Sequence, residues 1–367
     1  VIGSSFTSNQ ATVSGGALFI LSLGGDIANC EFIRNSAQQS GGAIYVEGGA
    51  TVRDSEFTGN TGKTYGGAIY WNGNGANIVR SNFTSNQINN SLGGGAICIQ
   101  GDSGSIGYSN FIDNSASSAG AIYLLGSNNI ISNSNFTNNH VTGYGGAVYL
   151  KGSSNEVLTS TFTQNTAGQN GGAIYIDGSN SKIITDTFIN NVASSNGNAI
   201  WVESGSSNNI SKSDFTGSKQ IYVNAGSTTL SQNNEVSNID NEYMVYNRGT
   251  LSLYDNDFNN VIYNTGIINT QTYANVTNNK TYENWTEWSF PTFAHVYDDN
   301  DNTIVSVAFT YKGYVNNVVE CNSTASDDIW HNGTLSVELF DYLVSADDAG
   351  LTSLTVHTSV IKMAIKP

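Results

Sequence analysis

Proline is almost missing from this chain, with 2 in 367 residues, Pro291 and Pro367. Residues 1–269 hold none, so every backbone N–H there can donate, as strands bonded on both sides require. Basic residues are also scarce: 13 Lys and Arg stand against 29 Asp and Glu, a net charge of −16, which excludes nucleic acid as a partner. Charged residues make up only 11%, too few for a chain kept disordered by charge. The three cysteines, Cys30, Cys98 and Cys321, are far apart and form no CxxC or Cys/His spacing, which excludes a zinc site. No apolar run approaches the ~18 residues of a membrane span, and Val1-Ile2-Gly3 is not the charged start of a signal peptide. Any export signal or anchor is therefore expected outside this stretch, with no direct membrane insertion by it. The four histidines show no ligand spacing, and there is no nucleophile elbow, phosphate loop or dinucleotide fingerprint. No catalytic residue, cofactor or metal is expected.

What the chain has in abundance is Asn, 50 residues, and Gly, 40, of which 37 fall in residues 1–269. They sit in a repeat. Phe recurs with Asn three positions on at Phe6/Asn9, Phe32/Asn35, Phe57/Asn60, Phe83/Asn86, Phe111/Asn114, Phe136/Asn139, Phe162/Asn165 and Phe188/Asn191, spaced by 25 to 28 residues. A degenerate copy follows at Phe215/Ser218, and shorter turns of 21–22 residues centre on Val236 and Phe258. Between them runs Gly-Gly-Ala-Ile or a close variant, ending at Leu18, Ile44, Ile69, Ile97, Ile122, Val148, Ile174 and Ile200. The apolar runs are short, β-branched and aromatic, with no 3.6-residue period. A period in the mid-twenties with two or three strands per turn is what a parallel β-helix needs, each coil stacking on the last at ~4.8 Å. The expected fold is all-β: a right-handed single-stranded parallel β-helix of about eleven coils, roughly 50 Å long, over residues 1–269, followed by a small antiparallel Ig-like β-sandwich over 270–367.

Alternation within each repeat assigns faces. The Ile20, Val46, Trp71, Ile99, Leu124, Leu150, Ile176 and Val202 column is apolar throughout and reads as inward. So do each Phe and the small residue two before it: Cys30, Ser55, Ser81, Ser109, Ser134, Ser160, Asp186 and Ser213. Cys30 is then a buried serine substitute. The Asn after each Phe should end its strand, tolerate left-handed backbone and ladder its amide between coils. The residue before each Ala, Gly seven times and Asn198 once, is expected at positive φ. The remaining column, Phe19, Tyr45, Tyr70, Cys98, Tyr123, Tyr149, Tyr175, Trp201 and Tyr222, points outward.

The tail reads differently: alternating runs at 304–311, 335–340 and 351–356 separated by turn-rich stretches suit a sandwich of about 98 residues. Its Asp298-Asp299-Asn300-Asp301-Asn302 run lacks the spaced Gly and terminal Glu of a calcium loop and reads as a turn.

The paired GGAI and FxxN motifs resemble the repeats of chlamydial polymorphic membrane proteins and the adhesin-like surface proteins of methanogenic archaea. Val296 to Asn302, Phe309-Thr310-Tyr311 and Asn332 to Val337 resemble a bacterial-type Ig-like repeat. The order of the two looks more like the archaeal layout. The resemblance implies an exported, extracellular cell-surface protein whose Ig-like module acts as a stalk. Nine N-x-S/T sequons, Asn82, Asn89, Asn135, Asn209, Asn275, Asn279, Asn284, Asn322 and Asn332, are candidate glycosylation sites, with Asn82 and Asn135 facing solvent.

The functional expectation is a non-enzymatic adhesin that binds a carbohydrate or protein of another cell. The candidate ligand strip is Tyr45, Tyr70, Tyr123, Tyr149, Tyr175, Trp201 and Tyr222: rings at ~4.8 Å intervals offering faces to sugars. The competing expectation is that these rings stack only on each other or lie under loops. Asp177 and Glu203, one coil apart with Lys151 a coil below, have the arrangement of a retaining glycosidase pair. An exposed face offers neither acid the environment a general acid needs, however, so they read as a solvated edge. A carbohydrate-active lyase or glycosidase is the alternative function, and a structural coat or filament, self-associating through coil ends, is a third.

Overall fold

In the computed structural model, side chains are described for residues 1–252 other than 22–23, 90–92, 218, 232–233 and 235–243, and beyond 252 only the backbone of the strands is described. The described residues form a right-handed parallel β-solenoid with no helix, about nine turns of which carry described side chains. Each full turn has four strands rather than two or three, and every strand pairs in parallel with its equivalents one turn before and after. The Phe sheet has 12 strands, the Tyr sheet and the aliphatic sheet 11 each, and a sheet of two-residue strands has 8. This short sheet ends at Val192–Ala193. Its loss explains the contracted later turns, in which Phe215 pairs with Val236 and Val236 with Phe258. The Phe sheet continues past residue 269, where Phe258 pairs with Val276.

The lumen is filled by columns. Nine phenylalanines from Phe6 to Phe215 stack ring on ring, with centroids 4.6–5.0 Å apart and interplanar angles of 3–9°. Eight of the nine are fully buried, from Phe32 onward. The Ile44/Val46 and Ile27/Val52 columns complete a single continuous core.

Three of the four corners follow one rule: a residue at positive φ, then a residue of nearly fixed type. Asn29, Asp54, Arg80, Tyr108, Asn133, Thr159, Thr185 and Lys212 are left-handed and precede the Cys/Ser column. Arg34, Gly59, Ser85, Asp113, Asn138, Gln164 and Asn190 are left-handed and precede the Asn column. Both expectations of positive φ, at the Asn and at the residue before Ala, are therefore off by one position. The left-handed member of each Gly pair is the first, Gly15, Gly41, Gly66, Gly94, Gly145, Gly171 and Gly197, with Ala119 in the coil that lacks it. The second Gly answers to space instead. A Cβ on Gly42 would stand 2.1 Å from the carbonyl oxygen of Gly67 and 2.6 Å from that of Thr61. Asn198 is admitted at this position because no short strand lies beyond it, and its Oδ1 accepts the Ala193 N–H at 2.9 Å, capping the last short strand.

The fixed polar residues exist because a corner takes one N–H out of reach of the next turn's carbonyls. Asn114 shows the solution. Its backbone N–H and its Nδ2 both donate to Asn139 Oδ1, at 3.0 Å each, and Nδ2 also donates to the Phe83 carbonyl at 2.9 Å. The same set recurs from Asn35 to Asn165, all fully buried. At the other corner the Ser134 N–H donates to Ser160 Oγ at 3.2 Å, while the Ser134 hydroxyl donates to the Ser132 carbonyl at 2.8 Å. Cys30 takes the serine role, buried and unpaired, with Sγ 3.2 Å from the Ala28 carbonyl.

Of the Ig-like sandwich expected over 270–367, most lies outside the described residues. Asn275–Val276 still belongs to the parallel Phe sheet, while later strands pair antiparallel, Pro291–Tyr297 with Thr303–Thr310 and Ser336–Leu339 with Tyr342–Ser345. Asp298 to Asn302 and Cys321 fall outside them.

Two predictions follow from the corners. Asn139→Ala would strand the Asn114 N–H and one of its Nδ2 hydrogens, take the Nδ2 donor from the Phe111 carbonyl and leave Asn165 Oδ1 with the residue-139 N–H alone, and should cost about 3 kcal/mol or more in urea unfolding. Asp186 is the second case. Its Oδ1 accepts the Ser160 N–H at 2.6 Å, and its buried Oδ2 has no partner. A carboxylate cannot donate as the serine hydroxyls do, and burial pushes the carboxyl from 3.8 up to about 8. The folded chain thus holds a proton that the unfolded chain releases. The contribution of Asp186 to stability should be most favourable below about pH 4 and fall as pH rises toward about 8, by ~1.4 kcal/mol per pH unit. Asp186→Ser should remove that slope and stabilise the rod above about pH 8; equal slopes for the two proteins would refute this.

Candidate ligand-binding faces

The Tyr column does point away from the lumen, but it is not an open strip. Tyr70, Tyr123, Tyr175, Trp201 and Tyr222 are 2–7% exposed, whereas Tyr45 and Tyr149 are half-buried. The rings form satellite clusters outside the main core. Part of the cover comes from Tyr65 and Tyr144, which stand immediately before the Gly pair and fold back onto Tyr70 and Tyr175, with centroids 5.7 and 4.9 Å away. The rings also cover one another: Trp201 and Tyr222 stack at 3.7 Å and 2°, and Tyr149 meets Tyr175 edge-on at 4.7 Å. A sugar ring has no exposed stack of faces to bind, so the strip read from alternation is corrected to a second packed layer. Tyr65 and Tyr144 are the residues missed, and their signal was a bulky ring directly before Gly-Gly.

The polar edge of this layer is organised. Tyr45 donates to Glu47 at 2.8 Å, Tyr70 to Gln100, and Tyr149 to Asp177 Oδ2 at 3.3 Å. Trp201 Nε1 donates to Glu203 at 2.7 Å, and the Ser204 hydroxyl to Asp177 Oδ1 at 2.7 Å. Asp177 and Glu203 thus serve as acceptors for the aromatic layer. Burial, reinforced by Glu47, pushes the Tyr45 hydroxyl up to about 12. Burial first, then the Asp177 and Glu203 charges, raises Tyr149 and Tyr175 further.

A different face is concave. On the outer side of the short sheet, where Ser36, Thr61 and Gln87 pair across three coils, a groove of about 720 Å³ runs between them and Gln38, Lys63, Thr64 and Asn89. Its volume lies within the range of ligand sites, and its floor is Ala37 and Gly62.

The sequons are scattered over these faces. Asn82 and Asn135 are exposed on the Phe sheet, joined through Asn110 by amide bonds of 2.9 Å. Asn89 is exposed at the groove, and Asn209 is half-buried in the aliphatic sheet. The side chain of Asn275, and Asn279, Asn284, Asn322 and Asn332 altogether, lie outside the described residues.

Comparison with known families finds two similarities. A right-handed β-helix region matches residues 146–309, and the Chlamydia polymorphic membrane protein repeat matches residues 3–20, 29–47, 54–70 and 133–151. Each of the last three matched repeats begins at the corner before the Ser column and ends in the Tyr sheet, so it spans the Phe, Asn and Gly-Gly columns. No curated protein and no solved structure matches the chain. The repeats and the β-helix together point to a surface-exposed, autotransporter- or adhesin-like protein.

The buried layer can be tested directly. Tyr123→Ala should destabilise the rod by roughly 3–5 kcal/mol, the loss of a packed aromatic. In an alkaline absorbance titration of the native protein, Tyr45 should ionise near pH 12, and Tyr70, Tyr123, Tyr149 and Tyr175 only as the coil unfolds. Full ionisation of all five below pH 11 would contradict the buried layer.

Proposed function

We propose that the chain is the rod of a non-enzymatic, extracellular cell-surface adhesin that holds a carbohydrate or protein of another cell against its lateral face, with the segment after its last coil as an Ig-like stalk module. The polymorphic membrane protein repeats carry this reading, because they coincide with the three columns that build the rod. A solenoid presents equivalent positions at ~4.8 Å intervals, so weak contacts can be repeated along its length and add through avidity. The resemblance to archaeal adhesin-like proteins supports the same assignment. Against a glycosidase stands the engagement of Asp177 and Glu203 with Tyr149, Ser204 and Trp201. Carboxylates that hold an aromatic layer in place are not free to serve as acid and nucleophile.

Beads coated with the full chain at graded density should attach to cells, with attachment rising more steeply than density, as multivalent binding requires. Absence of attachment by the folded protein at every density would sink the adhesin reading. Release of reducing ends from a polysaccharide panel would replace it with the enzymatic one.

A further inference from the structure

The groove on the short sheet has a chemistry of its own. Six of its lining side chains are hydroxyls and amides: Ser36, Thr61, Thr64, Gln38, Gln87 and Asn89. Such groups donate and accept at once, as the hydroxyls of a saccharide do. The strand pairing of Ser36, Thr61 and Gln87 sets them in a row along the rod axis, so a short chain lying along the axis meets an equivalent group at each coil.

Charge selects further. Although the protein has a net charge of −16, among the described residues no Asp or Glu lines the groove, and the charged one that does is Lys63. The ion pairs among the described residues join Arg53 to Asp26 and Asp54, Arg80 to Asp54 and Lys182 to Glu156. Lys63 is exposed and takes part in none of them. Its position is held by the backbone, since the Lys63 N–H donates to the Gln39 carbonyl at 2.9 Å. An ammonium group among neutral acceptors and donors suits one carboxylate flanked by hydroxyls. Arg34 stands two residues before Ser36 at the adjacent corner, its stem passing within 3.5 Å of where a Gly59 side chain would begin.

We propose that this groove is a binding site for an acidic oligosaccharide, with the carboxylate of a sugar acid on Lys63 and neutral sugar hydroxyls along Ser36, Thr61 and Gln87. It rests on the adhesin reading only for the source of that glycan, the surface of another cell. Asn89 at the groove belongs to a sequon, so a glycan attached there would obstruct the site.

The test uses the full chain made in a host without N-glycosylation, titrated calorimetrically with sialyllactose and with lactose, which differ by one carboxylated sugar. Sialyllactose should bind, lactose should bind at least about fivefold more weakly, and added salt should weaken the former. Lys63→Met, which keeps the stem and removes the charge, should lower sialyllactose affinity by roughly fivefold, the worth of one exposed charge-assisted contact. Lys151→Met, on the Tyr-sheet edge, should leave it unchanged. No sialyllactose binding, equal binding of the two sugars, or equal affinity of Lys63→Met and wild type would overturn the site. Cell attachment by Lys63→Met equal to that of wild type at every bead density would overturn the groove as its basis while leaving the adhesin reading standing.

Discussion

Everything in this rod depends on parallel pairing in register between successive turns. Because each residue lies over its equivalent at strand spacing, a side chain type is tolerated in a column only if it is compatible with copies of itself above and below. Phenylalanine satisfies that condition by offset stacking and asparagine by its amide, whose oxygen accepts from the turn before and whose Nδ2 donates both to the next turn's amide oxygen and to the previous turn's Phe carbonyl. Serine satisfies it by donating within its own turn and accepting from the neighbouring one. Glycine satisfies it by leaving room for the carbonyl of the next turn. The repeat motif is thus a list of self-compatible residues, one for each constrained column.

The exceptions obey the same rule. Asn198 occupies a glycine position only where the neighbouring strand has ended, and uses its side chain to cap that strand. Cys30 stands for serine because a thiol can approach the same carbonyl. Asp186 stands for serine at the cost of holding a proton, since its second oxygen has no donor to accept from. Trp71 fits the lumen in size but leaves its indole N–H without a partner. Each deviation is local because the columns on either side keep the turn in register.

The period, the inward columns and the amide ladder were legible in the sequence because each forces the same residue type in turn after turn. The left-handed corners were legible only to within one position. Their side chains face solvent, so Arg34, Ser85, Gln164 and Asn190 are all admitted, and the recurrent signal falls on the constrained residue that follows. The fourth side of the coil was missed because its strands are two residues long and their outward positions vary from Ser36 to His140 to Val192. The Tyr column was read with the correct direction but the wrong exposure. Alternation tells whether a side chain leaves the lumen and says nothing about Tyr65 and Tyr144, which belong to a turn without a strict period.

This division bears on where recognition can reside. A column that must match itself in every turn is occupied by the demands of stacking and has little freedom to match a ligand. The aromatic layer and its carboxylate edge are such a case, with the Asp177 and Glu203 oxygens already filled from within. Freedom remains on outward positions of the short sheet, where the smallest strands impose the least. Long polar side chains gather there across three adjacent turns, at Gln38, Lys63 and Gln87, and the sheet surface is concave there. Later turns place Ser115, His140, Thr166 and Val192 in the same row, where His140 Nδ1 pairs with Thr166 Oγ1 at 2.8 Å. Specific binding on a repetitive rod is therefore expected where the repeat is least exact, with the exact part supplying stiffness and spacing.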